Sequence, residues 1–329
     1  MRVLPSTILA TVFCGLMAWP CFAEAPSSAS KSTPATPSNK GKSRPPVPLL
    51  QPRAPVSGQP FDDREIELYL ETEGRKLFAA SRIPALRFEH HTCAFQVVEP
   101  AAEKLTGPAI AARAEAATLV LGEFSREAKK HELAFSVAGG AFVISSSGVC
   151  VTSLHVAKDK ASRGFCAMTR DGRVFPVREI LAAEPVNDLA ILQLDLPEGV
   201  ALPVLPLALE PAPVGSTVFV MSHPDDRFYL LSTGLVARHT VWRTAAGDEA
   251  FMTITADFAK GSSGCPVLDE RGAVIGIVNN TESIYYDDDG KKKQTDLQMV
   301  VKNATPSWAE RALIEDKSSP GTPAATSAR

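Results

Sequence analysis

The stretch Gly139-Gly-Ala-Phe-Val-Ile-Ser-Ser-Ser-Gly148-Val-Cys-Val-Thr-Ser-Leu-His155-Val decides how the chain is read. Two short apolar runs, Ala141–Ile144 and Val149–Thr152, flank a Ser/Gly turn, which is the pattern of strand, turn and strand. A histidine stands just beyond the second run. Outward from this pair the same short period persists in Thr118-Leu-Val-Leu, Ala134-Phe-Ser-Val, Gly164-Phe-Cys-Ala-Met and Leu189-Ala-Ile-Leu-Gln-Leu. Residues 196–213 carry five prolines and read as a stiff connector. Six more strand signals follow at Thr217–Met221, Gly234–Ala237, Phe251–Thr255, Pro266–Leu268, Ala273–Val278 and Leu297–Val301. Short strands with frequent turns mean an all-β sandwich or barrel. Six strands, a connector and six strands predict a mostly β chain of two six-stranded barrels, at about 117–196 and 214–303. Ser307–Glu315 reads as a C-terminal helix capped by Ser307.

Upstream, residues 61–116 read as a small α+β segment. Ile66, Tyr69, Leu70, Leu77 and Phe78 recur at helical spacing; Leu86-Arg-Phe and Ala94–Val98 read as short strands, and Pro108–Ala116 as a second helix. Residues 1–23 have the form of a secretory signal: Arg2, an apolar run from Ile8 to Trp19, and small residues at Cys21 and Ala23 before Glu24. The expectation is export to a periplasmic or extracellular space, with no stable membrane insertion after cleavage. Residues 24–60 hold nine prolines, five basic residues, one acidic residue and no aromatic, the composition of a disordered linker. The tail 317–329 has the same character.

Composition excludes several classes. At 45% hydrophobic residues the 329-residue chain buries a real core. Thirty-four basic and 37 acidic side chains give a net charge of −3, which speaks against a nucleic-acid partner. Six cysteines are too few for a disulfide scaffold of this length, and no CxxC pair points to zinc. His90-His91-Thr92-Cys93 lacks a second ligand group and reads as a strand end. Asp287 and Asp289 lack a terminal acid for calcium, so Tyr285–Gly290 reads as a charged hairpin tip. No metal and no cofactor is expected.

Chemistry gathers at three points: His155 past a strand end, Asp188 directly before an apolar strand, and Ser263 in Gly261-Ser-Ser-Gly264-Cys-Pro266. Each alone reads as structural. Together, in the order His155, Asp188, Ser263, they supply what a weak hydroxyl nucleophile needs: a base, and a carboxylate that fixes the base's tautomer.

The flanks are those of a known family. Gly140-Ala-Phe-Val-Ile-Ser with Gly148-Val-Cys-Val-Thr-Ser-Leu-His-Val, Asn187-Asp-Leu-Ala-Ile-Leu, Val214-Gly-Ser with Ser222-His-Pro, Ser232-Thr-Gly-Leu-Val, and Ala256-Asp-Phe-Ala-Lys-Gly-Ser-Ser-Gly-Cys-Pro-Val-Leu with Gly272-Ala-Val-Ile-Gly-Ile resemble the segments of HtrA/Deg-type trypsin-like serine proteases. The resemblance covers about 117–310 and implies antiparallel barrels of trypsin-like type. It implies peptide-bond hydrolysis of polypeptide substrates through an acyl-enzyme. By it, Ser263 is the nucleophile, His155 the general base and then acid, and Asp188 the orienting carboxylate. The Gly261 and Ser263 N–H groups would form the oxyanion hole.

Departures stand out. Cys265 occupies a position usually held by glycine, the loop at Phe258-Ala-Lys is short, and no residues remain for a PDZ module after the catalytic domain. Asp257, six residues before Ser263, has the count of a carboxylate under a basic P1 side chain; it also resembles a structural Thr-Asp strand end, the favoured reading. Asn279, Asn280 and Thr281 would line the substrate groove, with small or aliphatic P1 residues implied. His223 reads as a turn residue without a visible partner. Export favours at most one disulfide, among Cys93, Cys150 and Cys166 with Cys150–Cys166 the favoured pair, and Cys265 buried and unpaired. The competing reading is a catalytically silent, protease-fold binding module of the cell envelope.

Overall fold

The computed structural model describes residues 61–80, 83, 84, 86, 92–126, 133–158, 162–288 and 294–316. The leader, the proline-rich segment, the tail, His90, His91, Asp289 and most of Leu86-Arg-Phe lie outside the described residues. Helix α1 (Asp63–Ala79) starts where the Asp62 carboxylate accepts the Arg64 N–H at 3.0 Å, with Asp63 and Glu65 at the positive end of its dipole. Ile66, Leu70 and Gly74, four apart, form its buried stripe. A Cβ at Gly74 would stand 2.8 Å from Cys166 Sγ, so glycine lets this helix lie close on the sheet. After β1 (Cys93–Phe95), α2 (Gly107–Ala117) begins at Thr106, whose hydroxyl accepts the Ala109 N–H.

Then the barrels begin. Strands β2 (Thr118–Arg126), β3 (Leu133–Ser145) and β4 (Val149–Ser153) are followed by the short helix α3 (Leu154–Ala157). Next come β5 (Ser162–Met168), β6 (Val174–Glu184) and β7 (Leu189–Leu194). These six close in the order β2-β3-β4-β7-β6-β5, all antiparallel. Strands β8 (Thr217–Ser222), β9 (Leu230–Thr244), β10 (Gly247–Ile254), β11 (Pro266–Leu268), β12 (Val274–Asp288) and β13 (Gln294–Pro306) form the second barrel. Its closed order is β10-β13-β12-β11-β8-β9. Helix α4 (Ser307–Arg311) and β14 (Ile314–Asp316) complete the described chain, with β14 pairing parallel to β1.

The expected architecture of two six-stranded antiparallel barrels with a C-terminal helix is present, but barrel 1 is composed differently. Two expected strands, at Ala134 and Ala141, are one long β3 running through Gly139-Gly140. The strand missed is β6, where Pro176 and two register shifts against β7 break the alternation a strand shows in sequence. The C-terminal helix is shorter than expected. It ends at Arg311 because Leu313 is buried and its carbonyl accepts the Cys93 N–H at 2.9 Å, turning the chain into β14. Its N-cap is Pro306 rather than Ser307.

Three apolar clusters hold the chain. Leu119, Leu121, Val143, Cys150, Phe165, Val177 and Leu192 fill barrel 1, and Val218, Val220, Met252, Ile254, Val267 and Ile275 fill barrel 2. A third unites Ile66 and Leu70 of α1, Ile110 of α2 and the outer faces of strands, among them Phe124, Val151, Cys166 and Met221. Barrel strands buried on both faces read as continuous apolar runs. The expected Cys150–Cys166 bridge is overturned: both are free thiols. Cys150 points into barrel 1, whereas Cys166 points outward against α1, on a strand across the barrel from it. Cys265 is buried and free, as expected.

Candidate active site

Strand register brings the first two groups together. In the β4–β7 pair Ser153 lies opposite Leu189, so the residues just past β4 meet those just before β7. The Asp188 carbonyl accepts the Leu154 N–H at 2.9 Å. Its carboxylate accepts the His155 N–H through Oδ1 at 2.8 Å and meets His155 Nδ1 through Oδ2 at 2.5 Å. One carboxylate therefore fixes both the backbone and the ring of His155, and leaves Nε2 as the outward nitrogen. Asp188 holds this pose at φ 56°, in the left-handed region that side chains other than Asn and Asp rarely enter.

Beside it, Asn187 ties the barrels. Its Nδ2 donates to Glu184 at 2.7 Å, its Oδ1 accepts the Ala250 N–H at 2.9 Å, and its carbonyl accepts the Thr305 hydroxyl at 3.1 Å. Burial, then the Asp188 and Glu184 carboxylates, push the Glu249 carboxyl up from its ordinary range. Asn187 was quoted with Asp188 in sequence, but nothing there marks its reach across the barrels.

Ser263 comes to the same seam from barrel 2. Gly261 and Gly264 flank it at φ 94° and 84°. Gly264 lies flat on barrel 1: a side chain there would collide with Gly140 O, Thr152 Oγ1 and Ser153 N. The Ser263 carbonyl accepts the Gly140 N–H at 2.9 Å, and the Ser263 hydroxyl donates to the Asn279 carbonyl at 3.4 Å. Among the described residues no hydrogen bond joins Ser263 Oγ to His155. The structure thus pairs His155 with Asp188 directly and seats the turn that carries Ser263 on barrel 1, through Gly140 of β3 and through Gly264 against Thr152 and Ser153 of β4.

The turn before Ser263 is held from outside. The Asp225 N–H donates to the Lys260 carbonyl at 2.7 Å. In a trans peptide the carbonyl and the next N–H point oppositely, so the Gly261 N–H faces away from Asp225. Among the described residues neither the Gly261 nor the Ser263 N–H has a hydrogen-bond partner. Such unspent donors are what a developing oxyanion requires.

Cys265 fits beside this turn because residue 140 is glycine; a Cβ there would collide with Cys265 Sγ. His223 is a correction. It is fully buried, its Nε2 meets the Leu119 carbonyl at 3.3 Å, and its Nδ1 accepts the Tyr229 N–H at 3.1 Å. Burial lowers its pKa to about 4, so it is neutral. A lone His-Pro in sequence shows none of these partners.

The remaining expected residues are placed as follows. The Asp257 side chain is 86% exposed and pairs with Lys302 Nζ at 2.7 Å. Asn279 Nδ2 donates to Thr305 Oγ1 at 2.9 Å, and Asn280 Oδ1 accepts from Asn303 at 3.1 Å. Both amides are tied inside barrel 2, while Thr281 is exposed. Strand β12 pairs with β11 only as far as Ile277, which leaves the edge at residues 279–281 open on that side. No group of three metal-ligating side chains exists among the described residues.

Residues 139–277 match the model of the trypsin-like peptidase domain family. The chain is 35% identical over 146 residues to a Synechocystis sp. protein named as the serine protease HhoA, covering 42% of this chain and 36% of that one. It is 30% identical over 139 residues to a Brucella suis protein named as a DegP-like periplasmic serine endoprotease, covering 42% and 26%. Among solved structures, the HtrA-type protease AlgW, as a variant with a decapeptide, superposes with a TM-score of 0.50 at 19% identity, covering 62% of this chain and 64% of that one. The chain spans about a third of the length of HhoA. Residues 139–277 are thus similar to a trypsin-like peptidase domain, and HtrA- and DegP-type serine proteases are among the sequence relatives.

Proposed function

We propose that this trypsin-like domain is a serine endopeptidase, with Ser263 as nucleophile, His155 as base and Asp188 as the carboxylate that orients the base. The observation that carries the reading is the double grip of Asp188 on His155, through backbone N–H and ring Nδ1, with Gly264, the residue after Ser263, lying on the strand end that precedes His155. Asp188 holds Nδ1 protonated, so Nε2 is the basic nitrogen. Nε2 takes the hydroxyl proton as Ser263 Oγ bonds to the scissile carbonyl carbon, and the oxyanion is held by the Gly261 and Ser263 N–H groups. Nε2 then gives that proton to the leaving amine as the C–N bond breaks. Water, deprotonated by the same nitrogen, hydrolyses the acyl-enzyme and restores Ser263. For the hydroxyl this requires exchanging the Asn279 carbonyl for His155 as its acceptor, a change catalytic hydrogen bonds often make on binding substrate.

The substrate class is polypeptide, bound along the open β12 edge at residues 279–281. The Asp257–Lys302 ion pair supports a structural role for Asp257, and with it small or aliphatic P1 residues. The leader-like first 23 residues support export, as does likeness to a relative named periplasmic. Among the described residues no helix is long and apolar enough to cross a membrane.

The hydrogen bond from Ser263 to Asn279 favours the second reading, a binding module without turnover. A serine-directed fluorophosphonate separates the two. Labelling of wild type and not of Ser263→Ala, with cleavage of a diverse peptide library, supports the peptidase. Peptide binding without labelling or cleavage supports the module.

A further inference from the structure

The loop joining β8 to β9, His223-Pro-Asp-Asp-Arg-Phe-Tyr229, is under backbone strain. Asp225, Asp226 and Tyr229 sit at φ 49°, 58° and 57°. Aspartate tolerates this region, but tyrosine rarely enters it, so the conformation at Tyr229 persists only where the surroundings impose it. The loop also carries a task, since its Asp225 N–H holds the Lys260 carbonyl and so aims the Gly261 N–H. It abuts the turn closely: a Cβ on Gly261 would stand 2.7 Å from the His223 carbonyl oxygen and 3.2 Å from the Asp225 nitrogen.

Part of what imposes this conformation comes from the start of α1. Asp63 Oδ1 accepts the Phe228 N–H at 2.9 Å, across 165 positions of sequence. The Phe61 ring meets Tyr229 edge-on, with centroids 6.4 Å apart. The Arg170 guanidinium lies over both rings, 4.5 Å from Phe61 and 5.2 Å from Tyr229. Residues 61–63 lie outside the segment that matches the peptidase family, yet they grip the loop that sets the nucleophile turn.

We propose that Phe61 and Asp63 are positioning residues for catalysis, acting through the 223–229 loop to hold the Lys260–Gly261 peptide so that the Gly261 N–H faces the substrate's carbonyl oxygen. The inference rests on the peptidase reading. Without the two contacts the loop relaxes from its left-handed angles, Asp225 releases the Lys260 carbonyl, and that peptide turns its N–H away. Substrate still binds along β12, but the oxyanion loses one donor.

The test is steady-state kinetics of the full chain on a cleaved library peptide, with affinity for a peptide aldehyde that forms a tetrahedral adduct with Ser263. Removing an oxyanion donor costs about 100- to 1,000-fold in kcat, so loosening one in Asp63→Ala should lower kcat roughly 10- to 100-fold. KM should stay within about twofold, because uniform binding is untouched. Aldehyde affinity should fall with kcat, while affinity for the cleaved product peptide should not. Asp63→Asn, whose amide oxygen still accepts the Phe228 N–H, should restore most of the rate. Phe61 is 40% exposed, so Phe61→Ala leaves the core intact and keeps the proposal testable where Asp63→Ala unfolds; Phe61→Tyr should be near wild type. Full kcat in folded Asp63→Ala and Phe61→Ala overturns the proposal, as does a rise in KM at unchanged kcat. A wild type that neither hydrolyses peptides nor takes a fluorophosphonate overturns the peptidase reading itself, and the proposal with it.

Discussion

In barrel 1, His155 and Asp188 stand at facing ends of the neighbouring strands β4 and β7, and the ladder that closes the barrel also sets their contact. In barrel 2, Ser263 sits on an irregular turn whose bonds run to other elements: Gly140 of β3, Val278 and Asn279 of β12, and Asp225 of a strained loop. The His155–Asp188 contact is thus a product of the fold's most cooperative feature. The turn that carries Ser263, the proposed nucleophile, depends on tertiary contacts that can fail one at a time. Substitutions on the two sides should therefore behave differently.

The largest effects test whether the halves act as one unit. Ser263→Ala and His155→Ala should each lower kcat roughly a million-fold, and the double variant should lose no more than either alone. Asp188→Asn should cost about 10,000-fold, because an amide holds the imidazole in the wrong tautomer. Kinetics on folded samples, checked by circular dichroism, decide the matter. Losses that multiply would mean that the groups do not share one reaction path.

A second test compares the supports by pH. His223, under the Ser263 turn, has a native pKa of about 4 because burial disfavours its charged form. In the unfolded chain the value returns to about 6.5, so between these values the unfolded state binds a proton that the native state refuses. Stability from this group is complete above about pH 6.5 and is lost as pH falls toward 4, by roughly 3 kcal/mol in all. Urea unfolding at pH 7.5 and 4.5 should reveal the loss, and His223→Gln should flatten that slope. An unchanged slope would remove His223 from the account.

Close packing between the barrels gives a smaller effect. Gly140→Ala drives a methyl group into Cys265 Sγ, an overpacking that should cost about 1–3 kcal/mol. Cys265→Ala should recover much of it in the double variant, read as a non-additive mutant cycle by urea unfolding. Additive losses would show that the two residues do not compensate each other.

The same contrast explains what was legible. The two-barrel plan could be read because strands buried on both faces leave continuous apolar runs, as in Leu189–Leu194. β6 could not, because Pro176 and its two bulges erase the period. His155 and Asp188 stood out as strand-end residues in a recognisable order. The grip of Asp63 on Phe228, the burial of His223 and the match of Gly140 to Cys265 join residues distant in sequence by single contacts. Periodicity and motifs carry no trace of such contacts. The expected disulfide failed for a related reason: export favours pairing, but only closure of the barrel shows that Cys150 faces inward while Cys166 faces outward against α1.

The smallest expected effect concerns specificity. By count Asp257 could lie under a basic P1 side chain, and by resemblance it could end a strand. Its carboxylate is 86% exposed and already paired with Lys302. An anchoring carboxylate needs burial and an unanswered charge, and Asp257 has neither. Exposed ion pairs contribute about 0–1 kcal/mol, so Asp257→Ala should change kcat/KM on a peptide with alanine or valine at P1 by less than about fivefold. Peptides with arginine or lysine at P1 should remain poor substrates of both proteins. Were Asp257 the anchor, those basic peptides would be good substrates of wild type, and its removal would cost them at least roughly tenfold, as expected for a lost hydrogen bond to a charged group. A library profile of the two proteins side by side separates the outcomes, because only an anchoring carboxylate makes the loss depend on the charge at P1.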